Sequence, residues 1–211
     1  MRGVTGVKAV VAIAAISLSV VACSVDGDAV RVPDLTGRIV DASAFPFGAA
    51  TPVPAAQTAN ALADITFTPL RAENDPADCT PAPVDAADAQ IRVGPGGAAG
   101  GTLTVALTRT SDSFGDHLDL LRRCADFALG GTVGTRVSTD VLATADDTVE
   151  SARTLSNGGT PYTRVYELTA QRGHVRLYVQ NRFPATAQLG DAERAATRTL
   201  FDTAYDTAFG R

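Results

Sequence analysis

Residues 162–183 constrain the fold more than any other stretch of the chain, because two alternating runs meet there across a short turn. Tyr162, Tyr166, Leu168 and Ala170 precede Arg172-Gly173, and Val175, Leu177, Val179 and Phe183 follow it, all at even spacing within each run. With Arg172-Gly173 as a two-residue turn, Ala170 faces Val175, Leu168 faces Leu177, Tyr166 faces Val179 and Tyr162 faces Phe183. These four pairs share one face. Glu167, Thr169, Arg176, Tyr178, Gln180 and Arg182 collect on the other. Register and pattern agree, which predicts a β-hairpin with one buried and one polar side.

Other segments fill out a sheet around this hairpin. Leu103, Val105 and Leu107 alternate with Thr104, Ala106 and Thr108, and Gln90–Val93 precedes them, so Gly94–Gly101 reads as a mobile hairpin tip. Thr132–Leu142 and Thr148–Thr154 are further strand candidates, and Arg38–Val40 a small one. Ser113-Phe114-Gly115-Asp116 has the spacing of a capping box and opens a helix that carries His117, Leu121 and Cys124 on one face. A short helix is expected from Pro54 to Ala63, and a final one from Asp191 to about Phe209 with Leu200, Phe201, Ala204, Ala208 and Phe209 in its apolar stripe and Ala196 and Tyr205 at its margin. The expected class is α+β: a single domain whose antiparallel sheet has helices packed on one face.

The N-terminus sets the compartment. Arg2 and Lys8 precede a mostly apolar run, Ala9–Val21, of signal-peptide length. It ends in Val20-Val21-Ala22-Cys23, which resembles the bacterial lipobox. That resemblance implies cleavage before Cys23 and a diacylglyceryl thioether on its sulfur. The expected layout is a signal peptide over 1–22, a lipid anchor and Ala/Pro-rich tether over 23–53, and a folded domain over 54–211. The mature protein would sit on the cell membrane facing the extracytoplasmic side, with membrane lipid as its partner through Cys23. Export leaves Cys79 and Cys124 as an even pair in an oxidising compartment, which predicts one disulfide. Chain-entropy reasoning assigns such a bridge roughly 4 kcal/mol as an upper value.

Composition removes several classes of function. Loss of Arg2 and Lys8 with the signal moves the formal charge from −5 to about −7, and Lys8 is the only lysine. An acidic domain without a basic block is a poor nucleic-acid binder. Without a lysine, Gly94–Gly101 cannot serve as a P-loop. There is no G-x-S-x-G or H-E-x-x-H, and Asp140, Asp146 and Asp147 lack calcium-loop spacing. His117 and His174 are the only histidines; one reads as a structural helix residue and the other as a turn residue. No metal site, cofactor or catalytic residue is expected. The remaining candidate is the polar hairpin face: Arg176, Tyr178 and Arg182, with Glu167 on the neighbouring strand, can hold an anionic or sugar-bearing ligand. The alternative is a solvated sheet face crossed by Arg–Glu pairs.

The layout of Val20-Val21-Ala22-Cys23, Asp75-Pro76-Ala77-Asp78-Cys79, a strand, Leu120-Leu121-Arg122-Arg123-Cys124 and the closing hairpin and helix resembles a known group. These are actinobacterial lipoproteins related to the extracellular sensor domain of the mycobacterial kinase PknH, together with related uncharacterised lipoproteins. Beyond the lipobox the resemblance spans Pro54 to Phe209. It implies a central antiparallel sheet flanked by helices and a cleft for an envelope ligand. The kinase sensor domains carry two disulfides, whereas this chain can form one, and no ligand residues carry over by position. The expected function is a non-catalytic, membrane-anchored ligand-binding or sensor-like domain. A scaffold lipoprotein that binds another envelope protein is the alternative, and an envelope hydrolase the third reading.

Overall fold

The structure is a computed structural model and describes residues 34–210. The segment expected as a signal peptide, and Cys23, lie outside the described residues. Among those described, no helix is long and apolar enough to cross a membrane.

The elements are β1 (Thr51–Pro52), α1 (Ala55–Thr66), β2 (Val84–Pro95), β3 (Thr102–Thr110), α2 (Phe114–Arg123), β4 (Asp126–Leu129), β5 (Thr135–Thr144), β6 (Thr148–Asn157), β7 (Thr160–Arg172), β8 (Val175–Pro184) and α3 (Asp191–Phe209). One eight-stranded sheet results, in the order β1-β2-β3-β8-β7-β6-β5-β4, and every pairing is antiparallel. After β3 the chain crosses through α2 to the far edge. It then winds back strand by strand until β8 lies beside β3. The α+β class, the antiparallel sheet and the disulfide are as expected. Arg38–Val40 contributes no strand; a 3₁₀ turn over Thr36–Arg38 stands there.

Both faces of the sheet are covered, where helices on one face were expected. On one side α3 sets Leu200, Phe201, Ala204 and Ala208 against Leu177 and Val179 of the hairpin. On the other, Leu62 and Ile65 of α1 pack on Ile91, Ala106 and Tyr178, and α2 lies towards β5 and β7. β3 is therefore buried on both sides at Ala106 and Leu107, although its alternation reads as half-buried. The physical cause is the second helical layer, which covers polar side chains and obliges each to find a partner.

The hairpin turn is Gly173-His174, one residue later than expected. Arg172 pairs with Val175, Ala170 with Leu177 and Leu168 with Val179. Gly173 takes φ +56° at the first turn position, as a type II′ turn requires. Moving the turn by one residue shifts the register by two, so every side chain keeps its face. Tyr162 does not join the buried face; it is exposed at 46 %, and its hydroxyl lies 3.2 Å from Thr135 Oγ1.

The Gly-rich tip is fastened at two points. Ala99 N–H donates to Glu193 Oε1 at 2.8 Å, and Asn181 Nδ2 donates to the Gly96 carbonyl at 3.2 Å. The described part of the segment expected as tether is also part of the body: Leu35, Val40, Phe45 and Ala50 are buried in the α3-side core. Arg38 Nε donates to the Ala208 carbonyl at 2.7 Å, so the start of the described chain satisfies an open carbonyl in the last turn of α3.

Cys79 and Cys124 form the disulfide, with Cα atoms 5.5 Å apart. It ties the loop after α1 to the C-cap of α2, within a cluster that includes Phe67, Phe127 and Val137.

Candidate functional site

Beneath α1 and α2, β8 presents Arg176, Tyr178 and Gln180, and β7 sets Thr169 and Glu167 opposite the last two. All five are buried. A polar face buried this deeply must satisfy its donors and acceptors internally. Arg176 finds a partner for each of its three nitrogens. Its Nε donates to Gln171 Oε1 at 2.8 Å, its Nη1 to the Tyr178 hydroxyl at 3.3 Å, and its Nη2 pairs with Asp112 at 3.0 Å. Gln180 donates to the Ile65 carbonyl at 2.8 Å and also to Glu167, coupling the sheet to α1.

Arg153 of β6 belongs to the same face, because its strand neighbour Ser151 pairs with Glu167. Its guanidinium is 6 % exposed, and its Nη2 lies 3.4 Å from Glu167 Oε1. Its carbon Cζ stands 4.1 Å over the Phe67 ring. Among the described residues none of its N–H groups donates a hydrogen bond, and Nε is enclosed without a partner. A buried guanidinium whose Nε has no partner, and whose one ionic contact is 3.4 Å long, is costly and calls for a reason.

Two neighbours share this character. His117, on the buried face of α2, sets its ring edge-on to Tyr178 with centroids 6.3 Å apart, and its Nε2 has no partner. Burial, reinforced by the charges of Arg176 and Arg153, holds the His117 pKa well below its ordinary value, so the imidazole is neutral at pH 7. Burial likewise raises the pKa of Tyr178, which keeps its proton. Phe67 caps the C-terminus of α1 at φ +59°, a conformation that glycine usually supplies. Its ring contact with Arg153 and an Asn74 Nδ2 bond to its carbonyl at 3.3 Å hold it there.

These groups enclose a cavity of ≈ 30 Å³. Its polar floor is Arg153, Arg176, Tyr178 and His117, and its walls include Ile65, Phe67, Leu121, Phe127 and the disulfide. Pro81 and Leu120 also line it and are only half-buried, which places its mouth between the loop after α1 and α2.

Of the four expected ligand residues, Arg176 and Tyr178 line the cavity. Glu167 stands behind Arg153 as its counter-ion. Arg182 lies apart: its Nη1 pairs with Asp64 of α1 at 2.9 Å, outside the cavity lining. The face is buried, so the alternative of a solvated surface crossed by Arg–Glu pairs does not describe it. Arg153 was not among the expected residues. Pairing Thr148–Thr154 antiparallel to the hairpin was the signal that could have placed it diagonal to Glu167. His174 is exposed in the turn, and Asp147 is engaged with Arg172 at 2.9 Å and Tyr205 at 2.5 Å.

No protein-family model matches the chain, and no curated protein does. A solved structure aligns with it, that of an uncharacterised protein from Mycobacterium smegmatis, the Rv0999 ortholog. The TM-score is 0.39 at 17 % identity, over 76 % of this chain and 85 % of that one.

Proposed function

We propose that this chain is a lipoprotein held on the extracytoplasmic side of the cell membrane through Cys23, and that its folded domain is a non-catalytic ligand-binding or sensor-like module. The layout it shares with the lipoproteins related to the PknH sensor domain belongs to the same reading. The observation that carries it is Arg153: a buried guanidinium lining the cavity, its Nε without a partner among the described residues, as is the Nε2 of His117 in the same lining. Arg176, on the same face, is by contrast bonded to Gln171, Tyr178 and Asp112.

Both halves of the proposal can be tested. Cys23→Ala in the exporting host should abolish lipid labelling and move the protein out of the detergent-extracted membrane pool. Unchanged labelling and partition would overturn the anchor. Native mass spectrometry of the full chain, purified gently from that host, should show a reproducible small-molecule adduct. A clean apo mass across preparations would overturn the binding module and favour a protein partner.

A further inference from the structure

We infer that the cavity takes a short-chain monocarboxylate, its carboxylate on Arg153 and its hydrocarbon tail against the apolar wall between the loop after α1 and α2. This rests on the ligand-binding reading above and specifies the chemistry of that site.

Four observations lead to it. The open valences are those of Arg153, whose planar fork matches a carboxylate with two parallel N–H···O bonds. Arg176, two strands away and with a partner on each of its three nitrogens, supplies mainly field. Neutral His117 can add an Nε2–H bond to the same oxygen, since that atom has no competing partner. The walls are mostly apolar, with Ile65, Phe67, Leu121 and Phe127, and Thr66 and Thr139 add only hydroxyls to meet a more hydroxylated molecule.

Charge and size narrow the class. Arg153 and Arg176 are balanced by Glu167 and Asp112, neither of which lines the cavity. One added negative charge would face guanidinium groups at close range with carboxylates behind them, whereas a dianion would overload a site already neutral in sum. An enclosed space of ≈ 30 Å³ holds a group the size of one or two water molecules, which suits a carboxylate head with its tail towards the mouth at Pro81 and Leu120.

The test titrates the full-length protein with sodium butyrate, against butyramide as the neutral isostere and inorganic phosphate as the dianion. Calorimetry and the arginine Nε–H resonances in ¹⁵N-labelled protein are followed together. Butyrate should bind saturably and shift the Arg153 Nε–H signal, and butyramide and phosphate should bind about 10- to 100-fold more weakly. Arg153→Gln should lose butyrate by a similar factor, Arg153→Lys should fall between, and Arg182→Gln should bind as the parent does. If Arg153→Gln does not fold, the resonance shift in the parent protein decides. Absence of saturation, equal binding of butyramide, or an unmoved Arg153 signal would mean that water alone fills the cavity or that another ligand does, and would overturn the carboxylate assignment. A native adduct of other chemistry alongside that result would leave the binding module standing; no adduct would remove both.

Discussion

The guanidinium carbon of Arg153 stands 4.1 Å above the centre of the Phe67 ring, and that contact joins a buried cation, its Nε unpartnered among the described residues, to a phenylalanine in left-handed backbone geometry. Each compensates the other. The ring gives the cation a face to lie on, and the cation and its surroundings fix the ring where the backbone alone would prefer glycine.

Phe67→Ala should therefore be among the most destabilising single changes in the domain, costing about 3–5 kcal/mol through lost burial and the cavity left behind. Urea denaturation read by circular dichroism would measure it. A midpoint close to that of the parent would show that the ring is not a structural member of the pocket.

Two acidic partners of arginine should behave very differently. Glu167 is 1 % exposed, and Glu167→Gln leaves Arg153 buried without its counter-ion, a loss of about 3–5 kcal/mol. Asp64 is 64 % exposed, and Asp64→Asn should change stability by no more than about 1 kcal/mol. Equal effects in parallel denaturation curves would contradict the burial of the first pair.

His117 gives the domain a pH dependence of definite sign. Its folded pKa is depressed, so below the ordinary histidine value, near 6.5, the unfolded chain binds more protons than the folded one, by up to one. This contribution to stability is present in full above that value and declines as the pH falls towards the folded pKa, by at most about 1.4 kcal/mol per unit. Unfolding free energies at pH 7.5, 6.0 and 5.0 should fall accordingly in the parent and flatten in His117→Gln. The same slope in both proteins would place the titration elsewhere.

The disulfide anchors the wall of the pocket to the end of α2. Replacing Cys79 and Cys124 together with alanine should lower stability by about 2–4 kcal/mol, read as a drop in Tm that reducing agent reproduces in the parent. No drop under either treatment would mean the loop is held by packing alone.

Local signals made much of the fold legible. The Ser113–Asp116 capping box does open α2, with Ser113 Oγ accepting from Asp116 N–H at 3.1 Å, and α3 runs from Asp191 to Phe209 as its stripe predicts. The faces of the β7–β8 hairpin were readable because a side-chain period of two survives a register shift of two. The turn itself was misplaced because Arg172-Gly173 and Gly173-His174 both satisfy the alternation, and only the position of positive φ separates them. The site was less legible. Polar residues at alternate positions signal a solvated face, and nothing local in Arg176, Tyr178 or Gln180 reveals that α1 and α2 will lie over them. Their burial is decided by contacts with Ile65 and Asp112, more than sixty residues away along the chain. Arg153 escaped for the same reason: its role depends on a strand pairing and a helix end.

The hydrogen bond from Arg38 to the Ala208 carbonyl brings the two ends of the folded body together. A path whose two ends meet has no privileged starting point, and its order of connection could be cut and rejoined without changing which surfaces touch. The Gly158-Gly159 turn, exposed and remote in sequence from both ends, is where such a ring would open most easily. Synthesis reaches Arg38 long before Ala208, so this clasp between the two ends of the body closes only when the last helix has been made.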